Sequence, residues 1–281
     1  MINKVDHLIV AVKDLSEAEE SFSILFGSRP VWRGEHPELG TINSIFNFDN
    51  IYFELLASNG EGLGAQFIEQ TIENDGEGLA GIVLGTNNLE SLRENILSNG
   101  YELGTISRGH AEDTENGSTR GWQNLFLPEE LTRGLFSFLI QHDQGSLPHN
   151  ENISDSSIGK LDHVVINTND PEGLIEVYRD TFGIRLALDQ TVEKWGGRML
   201  FFRLNKTTIE VIAKEDDQKP RDSLWGMAWE VKNIEKTHKR LSEAGVILTD
   251  IKDGRKPNTL VTTVKSHSLN IPTLLIEHLS S

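Results

Sequence analysis

The chain has 281 residues, 37% of them hydrophobic and 25% charged, with no cysteine and a net charge of −17. That balance suits a globular protein of two ordinary domains and excludes global disorder, disulfides and thiolate metal sites. Residues 1–150 hold 8 Lys+Arg against 23 Asp+Glu, so −15 of the charge lies there, and neither half offers the basic face that nucleic acid requires.

In chain order, Val5–Val12 reads as an apolar strand whose period-2 alternation sets His7, Ile9 and Ala11 on one face and Leu8, Val10 and Val12 on the other. One face should pack on a helix and the other should line a concave sheet. Ser16–Phe26 follows as a helix with Ser16 as N-cap, Glu19 three residues on and Gly27 as its stop. Strands are expected at Pro30–Arg33, Ile42–Phe48 and Ile51–Ala57, then at Leu79–Gly85, before a helix at Leu89–Ser98. Strands near Tyr101–Ser107, Trp122–Leu127 and Leu135–Gln141 close this half, with the polar stretch His110–Ser118 read as a loop.

The polar stretch ending at Gly159 reads as a linker, giving domains at 1–143 and 160–281 with 144–159 between them. The second half repeats the order: strand Leu161–Thr168, helix Pro171–Phe182, and strands Ile184–Leu188, Met199–Leu204 and Thr207–Ala213. Strand Trp225–Val231, helix Ile234–Ala244 and strands near Val246–Ile251, Leu260–Val264 and Pro272–His278 complete it. Single helices between strands on a mostly antiparallel plan imply an α+β fold.

The repeat is in register. One offset of 156 residues separates His7 from His163, Glu54 from Glu210, and Phe26-Gly27 from Phe182-Gly183. A shared offset marks a duplication, and a histidine with a carboxylate on neighbouring strands supplies two ligands suited to a divalent metal. Trp195-Gly196-Gly197-Arg198 forms a hairpin segment, and Trp195, Arg198 and Trp225 are the substrate-contact candidates. A GxSxG elbow, a phosphate loop with GK[ST] and a cysteine nucleophile are all lacking.

With Asp-His-hydrophobic on each half's first strand, Phe-Gly after each first helix, and the glutamates of YFELL and TIEVI, the chain resembles the vicinal oxygen chelate superfamily. That superfamily holds glyoxalase I, extradiol dioxygenases, methylmalonyl-CoA epimerase and bleomycin-resistance proteins. The resemblance implies four βαβββ modules paired into two cup-shaped domains. It also implies four metal-ligand positions per cup, carried here by His163, Glu210, Gly226 and Glu277 in the second half and by His7, Glu54, Gly81 and Gln141 in the first. His163, Glu210 and Glu277 would suit Fe, Mn, Ni or Zn, with His7, Glu54 and Gln141 a weaker set.

The glycines at the third position would enlarge each cup and remove a ligand. His142 and His278, directly after the fourth position, are expected on the opposite face. By resemblance the activity is that of a metal-dependent lyase or isomerase passing through an enediolate-like species, with Glu210 or Glu277 as proton-transfer base. Extradiol ring cleavage and metal-free sequestration of a small molecule are the alternatives. The expected partner is a small molecule, with no nucleic acid and no membrane, and the resemblance leaves a homodimer open. No long apolar run and no signal-peptide core are seen, so a cytoplasmic location is expected.

Overall fold

The structure is a computed structural model that describes residues 1–281 except 151–152, 193–196, 215, 217 and 280–281. The first half runs β1 (Ile2–Val12), α1 (Leu15–Phe26), β2 (Trp32–His36), β3 (Thr41–Asn47), β4 (Tyr52–Ser58), α2 (Leu63–Asp75), β5 (Gly78–Thr86), α3 (Leu89–Ser98), β6 (Ser107–Glu112), β7 (Thr119–Phe126), α4 (Glu129–Thr132) and β8 (Ser137–Gln144). The second runs β9 (Ile158–Thr168), α5 (Pro171–Ile175) continuing into a π-helical turn (Glu176–Thr181), β10 (Arg185–Val192), β11 (Gly197–Leu204), β12 (Thr207–Ala213), β13 (Asp222–Val231), α6 (Ile234–Glu243), β14 (Lys252–Asp253), β15 (Thr259–Val264) and β16 (Thr273–His278). Each half forms an eight-stranded sheet, ordered β2-β3-β4-β1-β5-β8-β7-β6 and β10-β11-β12-β9-β13-β16-β15-β14. The two orders are identical, so the fold is α+β with four βαβββ modules paired into two cups.

Local chemistry explains most element ends. Asp14, not Ser16, caps α1: its backbone is extended and its carboxylate accepts from the Glu17 amide, while Ser16 already lies inside the helix. Asp14 and Glu17 have the same spacing as Ser16 and Glu19, so the motif alone does not choose between them. Glu19 is instead buried against Arg33, 2.6 Å away. The sequence reading passed over α2, an amphipathic helix that buries Ala65 and Ile68. The stretch read as a loop at His110–Ser118 begins as strand β6, because its polar backbone pairs with β7 along Ser107–Glu112.

The alternation of β1 places Leu8, Val10 and Val12 in the main core with Phe22, Leu25 and Phe26 of α1. Ile9 points the other way, into a separate cluster with Val83 and Ile140. The main core runs through both halves: Phe26 and Phe48 pack on Trp229 of β13, with ring centroids 5.0 and 4.6 Å apart. Arg240 of α6 donates to the carbonyls of Ile24 and Leu25 at the C-terminal end of α1, the end where a cation is favoured. A buried ion pair, Arg133 to Asp222 at 2.7 Å, ties α4's end to β13. The helix-bearing sides of the two halves therefore share one core.

The two cups differ at their edges. In the first sheet, Gly34 of β2 bridges to Asp113, and the Thr114 amide donates to the Arg33 carbonyl at 2.9 Å. The outer strands thus meet and close the cup into a barrel. In the second, β14 has two residues, and no bridge joins it to β10 among the described residues. That cup stays open on one side.

Candidate functional site

A β-bulge builds the floor of each cup. On β1 the ladder pairs Val5 with Leu84 and then His7 with Val83, so Asp6 is the extra residue. On β9 it pairs Leu161 with Trp229 and His163 with Ala228, leaving Asp162 extra. A bulge re-aims side chains, and here it brings an aspartate beside the next residue's imidazole. His7 Nδ1 lies 2.9 Å from Asp6 Oδ1, and His142 Nε2 lies 3.1 Å from the same oxygen. His163 Nδ1 lies 2.7 Å from Asp162 Oδ1, and His278 Nε2 lies 2.7 Å from Asp162 Oδ2. Each half therefore has two imidazoles bridged by one carboxylate. Burial alone would raise both carboxyls, but hydrogen bonds to the paired histidines outweigh it and hold Asp6 and Asp162 well below the usual carboxylate range.

The repeated His–Glu pairs come together as the sequence suggests. Parallel pairing sets Tyr52 beside His7 and Glu54 beside Ile9, and sets Thr208 beside His163 and Glu210 beside Val165. His7 Nε2 is 3.4 Å from Glu54 Oε2, and His163 Nε2 is 3.6 Å from Glu210 Oε2. Burial raises the Glu210 carboxyl; attraction to His163 opposes this and repulsion from Asp162 adds to it.

The fourth position does not join them. Gln141 Oε1 accepts the Leu89 amide, and Glu277 Oε2 accepts the Ile234 amide, both at 2.7 Å. These residues satisfy free N–H groups at the first turns of α3 and α6, on the helix-bearing face. His142 and His278, expected opposite the cup, face into it by the same alternation. The ladder sets Val83 opposite His7 and Ala228 opposite His163. His7 and His163 each stand seven residues before a helix N-cap, Asp14 and Asp170, as Gly81 and Gly226 do before Asn88 and Asn233, so the third position is glycine in both cups. Two residues on, Ile9 and Val165 pair with Glu54 and Glu210, while Val83 and Ala228 pair with Phe138 and Leu274, which are therefore the counterparts of the two glutamates.

Nor do the glycines widen the cups. A Cβ on Gly81 would lie 2.8 Å from Phe136 Cδ1, and one on Gly226 would lie 2.5 Å from the Pro272 carbonyl oxygen. Each cup thus offers the family's metal position two donors, a glycine and one apolar side chain, Phe138 or Leu274. A divalent ion held by three or four protein ligands does not fit that position.

The cups are not equivalent. His7 is buried, stacked on Tyr52 at 4.2 Å, and Glu54 accepts from Asn43. Arg120, itself buried, lies over the rings of Trp32, Tyr52 and Trp122. In the second cup the side chains of His163 and Glu210 are 18% and 21% exposed, so solvent reaches them. Of the substrate-contact candidates, Arg198 is held between Asp189 and Glu172, at 2.7 and 2.5 Å. Trp225 is half exposed at a second bulge of β13, and Trp195 lies outside the described residues.

The sequence reading missed one cluster. Asp162, Glu230 and His278 each place a ligand atom within 4.8 Å of the others, a group of a kind that can hold a metal ion. The Asp-His dipeptide and the His after each fourth position recur in both halves and were the available signal.

No helix among the described residues is long and apolar enough to cross a membrane. A search of curated proteins returned no match. Among solved structures, a variant of 4-hydroxymandelate synthase from Streptomyces coelicolor is 14% identical, with 100% of this chain and 94% of that one covered at a TM-score of 0.70. A Mn(II)-bound glyoxalase from Novosphingobium aromaticivorans is 13% identical, covering 99% and 83% at 0.65. A hypothetical protein from Staphylococcus aureus is 12% identical, covering 99% and 100% at 0.64. These likenesses show a shared fold. Residues 5–159 match the family model of the glyoxalase-like domain, and residues 162–263 match that of the glyoxalase/bleomycin resistance protein/dioxygenase superfamily. With the duplicated cups, these matches show that the chain belongs to the glyoxalase/bleomycin resistance/dioxygenase superfamily, the vicinal oxygen chelate proteins.

Proposed function

We propose that the open second cup moves a proton on a small oxygenated molecule, as a lyase or isomerase does. The observation that carries this is the line Asp162–His163–Glu210 in a solvent-reached cup, with separations of 2.7 and 3.6 Å. Asp162 holds the ring of His163 through Nδ1, so an Nε2–H can donate to an oxygen that gains negative charge. Glu210, raised by burial, is suited to take a proton from the carbon next to a carbonyl. The proton passes to a Glu210 oxygen, and the electron pair moves to the carbonyl oxygen, which His163 steadies. Return of the proton to the former carbonyl carbon, with the α-hydroxyl proton passing to its oxygen, gives an isomer, while loss of a leaving group from the β-carbon on the other side gives a lyase product. No step passes through a metal at the family position, because Gly226 and Leu274 supply no donor there.

Hydrogen–deuterium exchange tests this. In D2O, a panel of 2-oxo and 2-hydroxy compounds followed by proton NMR should include one whose C–H exchanges only with the protein present. Glu210→Gln should slow that exchange about 100-fold or more. No exchange with any member of the panel would overturn the reading.

A second reading has its own support. The aliphatic pairs Val83 and Ile140, and Ala228 and Ile276, line both cups with apolar surface, as sequestration without chemistry would require. Thermal stabilisation by an apolar compound, unchanged by chelators and unaccompanied by exchange, would favour it.

A further inference from the structure

We propose that Asp162, Glu230 and His278 form a divalent-cation site on the second sheet, one strand position away from the family's own. The three residues come from the adjacent strands β9, β13 and β16. Asp162 Oδ2 is 2.7 Å from His278 Nε2, which is 3.7 Å from Glu230 Oε2. Ligands at about 2.0–2.2 Å from a first-row metal stand about 3–3.5 Å from one another, so small side-chain movements suffice. Two carboxylates and one imidazole suit Mn(II), Fe(II) or Zn(II). The side chains of Asp162, Glu230 and His278 are 21%, 28% and 28% exposed, which leaves room for water to complete the coordination. The other Asp162 oxygen holds His163, so an ion here would also bear on the imidazole of the cup floor.

The first half is the internal comparison. It keeps the aspartate and the histidine, as Asp6 and His142, but its residue at the place of Glu230 is Gly85. A Cβ on Gly85 would lie 2.8 Å from the side chain of Lys4, whose ammonium sits 2.7 Å from Asp6 Oδ2. In that half a covalently attached cation neutralises the aspartate. In the second half the matching Lys160 has moved to Glu230, 2.8 Å away, and a third ligand side chain stands beside Asp162. The second half has thus moved the ammonium off the aspartate and added a third donor beside it. One ion per chain is the consequence.

The site stands apart from the proton-transfer reading, because its test reads binding alone. The full chain, stripped with a chelator, is titrated with Mn(II) followed by electron paramagnetic resonance, and with Zn(II) followed by calorimetry. The expected result is one ion per chain. Glu230→Gln and His278→Gln should each weaken binding about tenfold or more. Glu210→Gln and Glu277→Gln should leave it unchanged, and Lys160→Gln should tighten it by removing the competing ammonium. Circular dichroism of each variant checks the fold. Failure of wild type to bind either ion, or loss in Glu210→Gln with retention in Glu230→Gln, would overturn the proposal.

Discussion

His278 Nε2 lies 2.7 Å from Asp162 Oδ2, which joins the last strand of the second sheet to the bulge on its first. That contact turns His278 into the cup and, by alternation, turns Glu277 out of it. Glu277 then meets the first turn of α6, where its carboxylate accepts the Ile234 amide and lies favourably in the helix dipole.

Glu277→Ala is therefore a stability variant. It should cost about 1 kcal/mol, the usual cost of losing an N-terminal cap. Urea denaturation reads this, and an unchanged midpoint would show that the contact contributes nothing.

Glu210→Gln should leave the fold intact and reduce proton exchange by about 100-fold or more, the usual contribution of a positioned base. Since the Glu210 side chain is partly exposed, its denaturation midpoint should stay near wild type. A turnover number unchanged by the substitution would remove Glu210 from the mechanism.

Asp6 gives a pH prediction. Its folded-state value lies below the ordinary one, so its contribution to stability is fully present above about pH 4 and is lost as pH falls toward the folded value. Wild type should exceed Asp6→Asn by about 3 kcal/mol near neutrality, since the substitution breaks a buried charged network. That margin should shrink by about 1.4 kcal/mol for each pH unit below about 4. Denaturant curves of both proteins at pH 7, 4 and 3 measure it. A margin that widens in acid would contradict the assignment.

Asp222→Ala should destabilise the chain by about 3–5 kcal/mol, because it leaves the Arg133 guanidinium buried, where Nε and Nη1 already have no hydrogen-bond partner among the described residues. The two halves share one core through Phe26, Phe48 and Trp229, so unfolding should remain a single transition in calorimetry. Two separated transitions in wild type would show that the halves fold independently.

The duplicated architecture was legible in the chain because it rests on local pattern. Alternation in β1 separates Leu8, Val10 and Val12 from His7 and Ile9, and Gly27 marks the end of α1. The pairing of His7 with Glu54 and of His163 with Glu210 was also legible, since a repeated offset carries spacing directly. The rest of the site was not. The bulges at Asp6 and Asp162 exist only in the ladder between strands far apart in sequence. They decide which residues share a face, because the side-chain period of a strand is two and a shift of one residue exchanges the faces.

By itself, then, the sequence determined two cups built from four like modules, each with a histidine and a glutamate on its floor. Only the tertiary structure decided that Glu277 and Gln141 serve helices, that Asp162 gathers His163 and His278, and that one cup buries its His–Glu pair more deeply than the other. The physical reason is that strand register, helix capping and the meeting of β2 with β6 are set by contacts between distant segments, which local pattern does not encode.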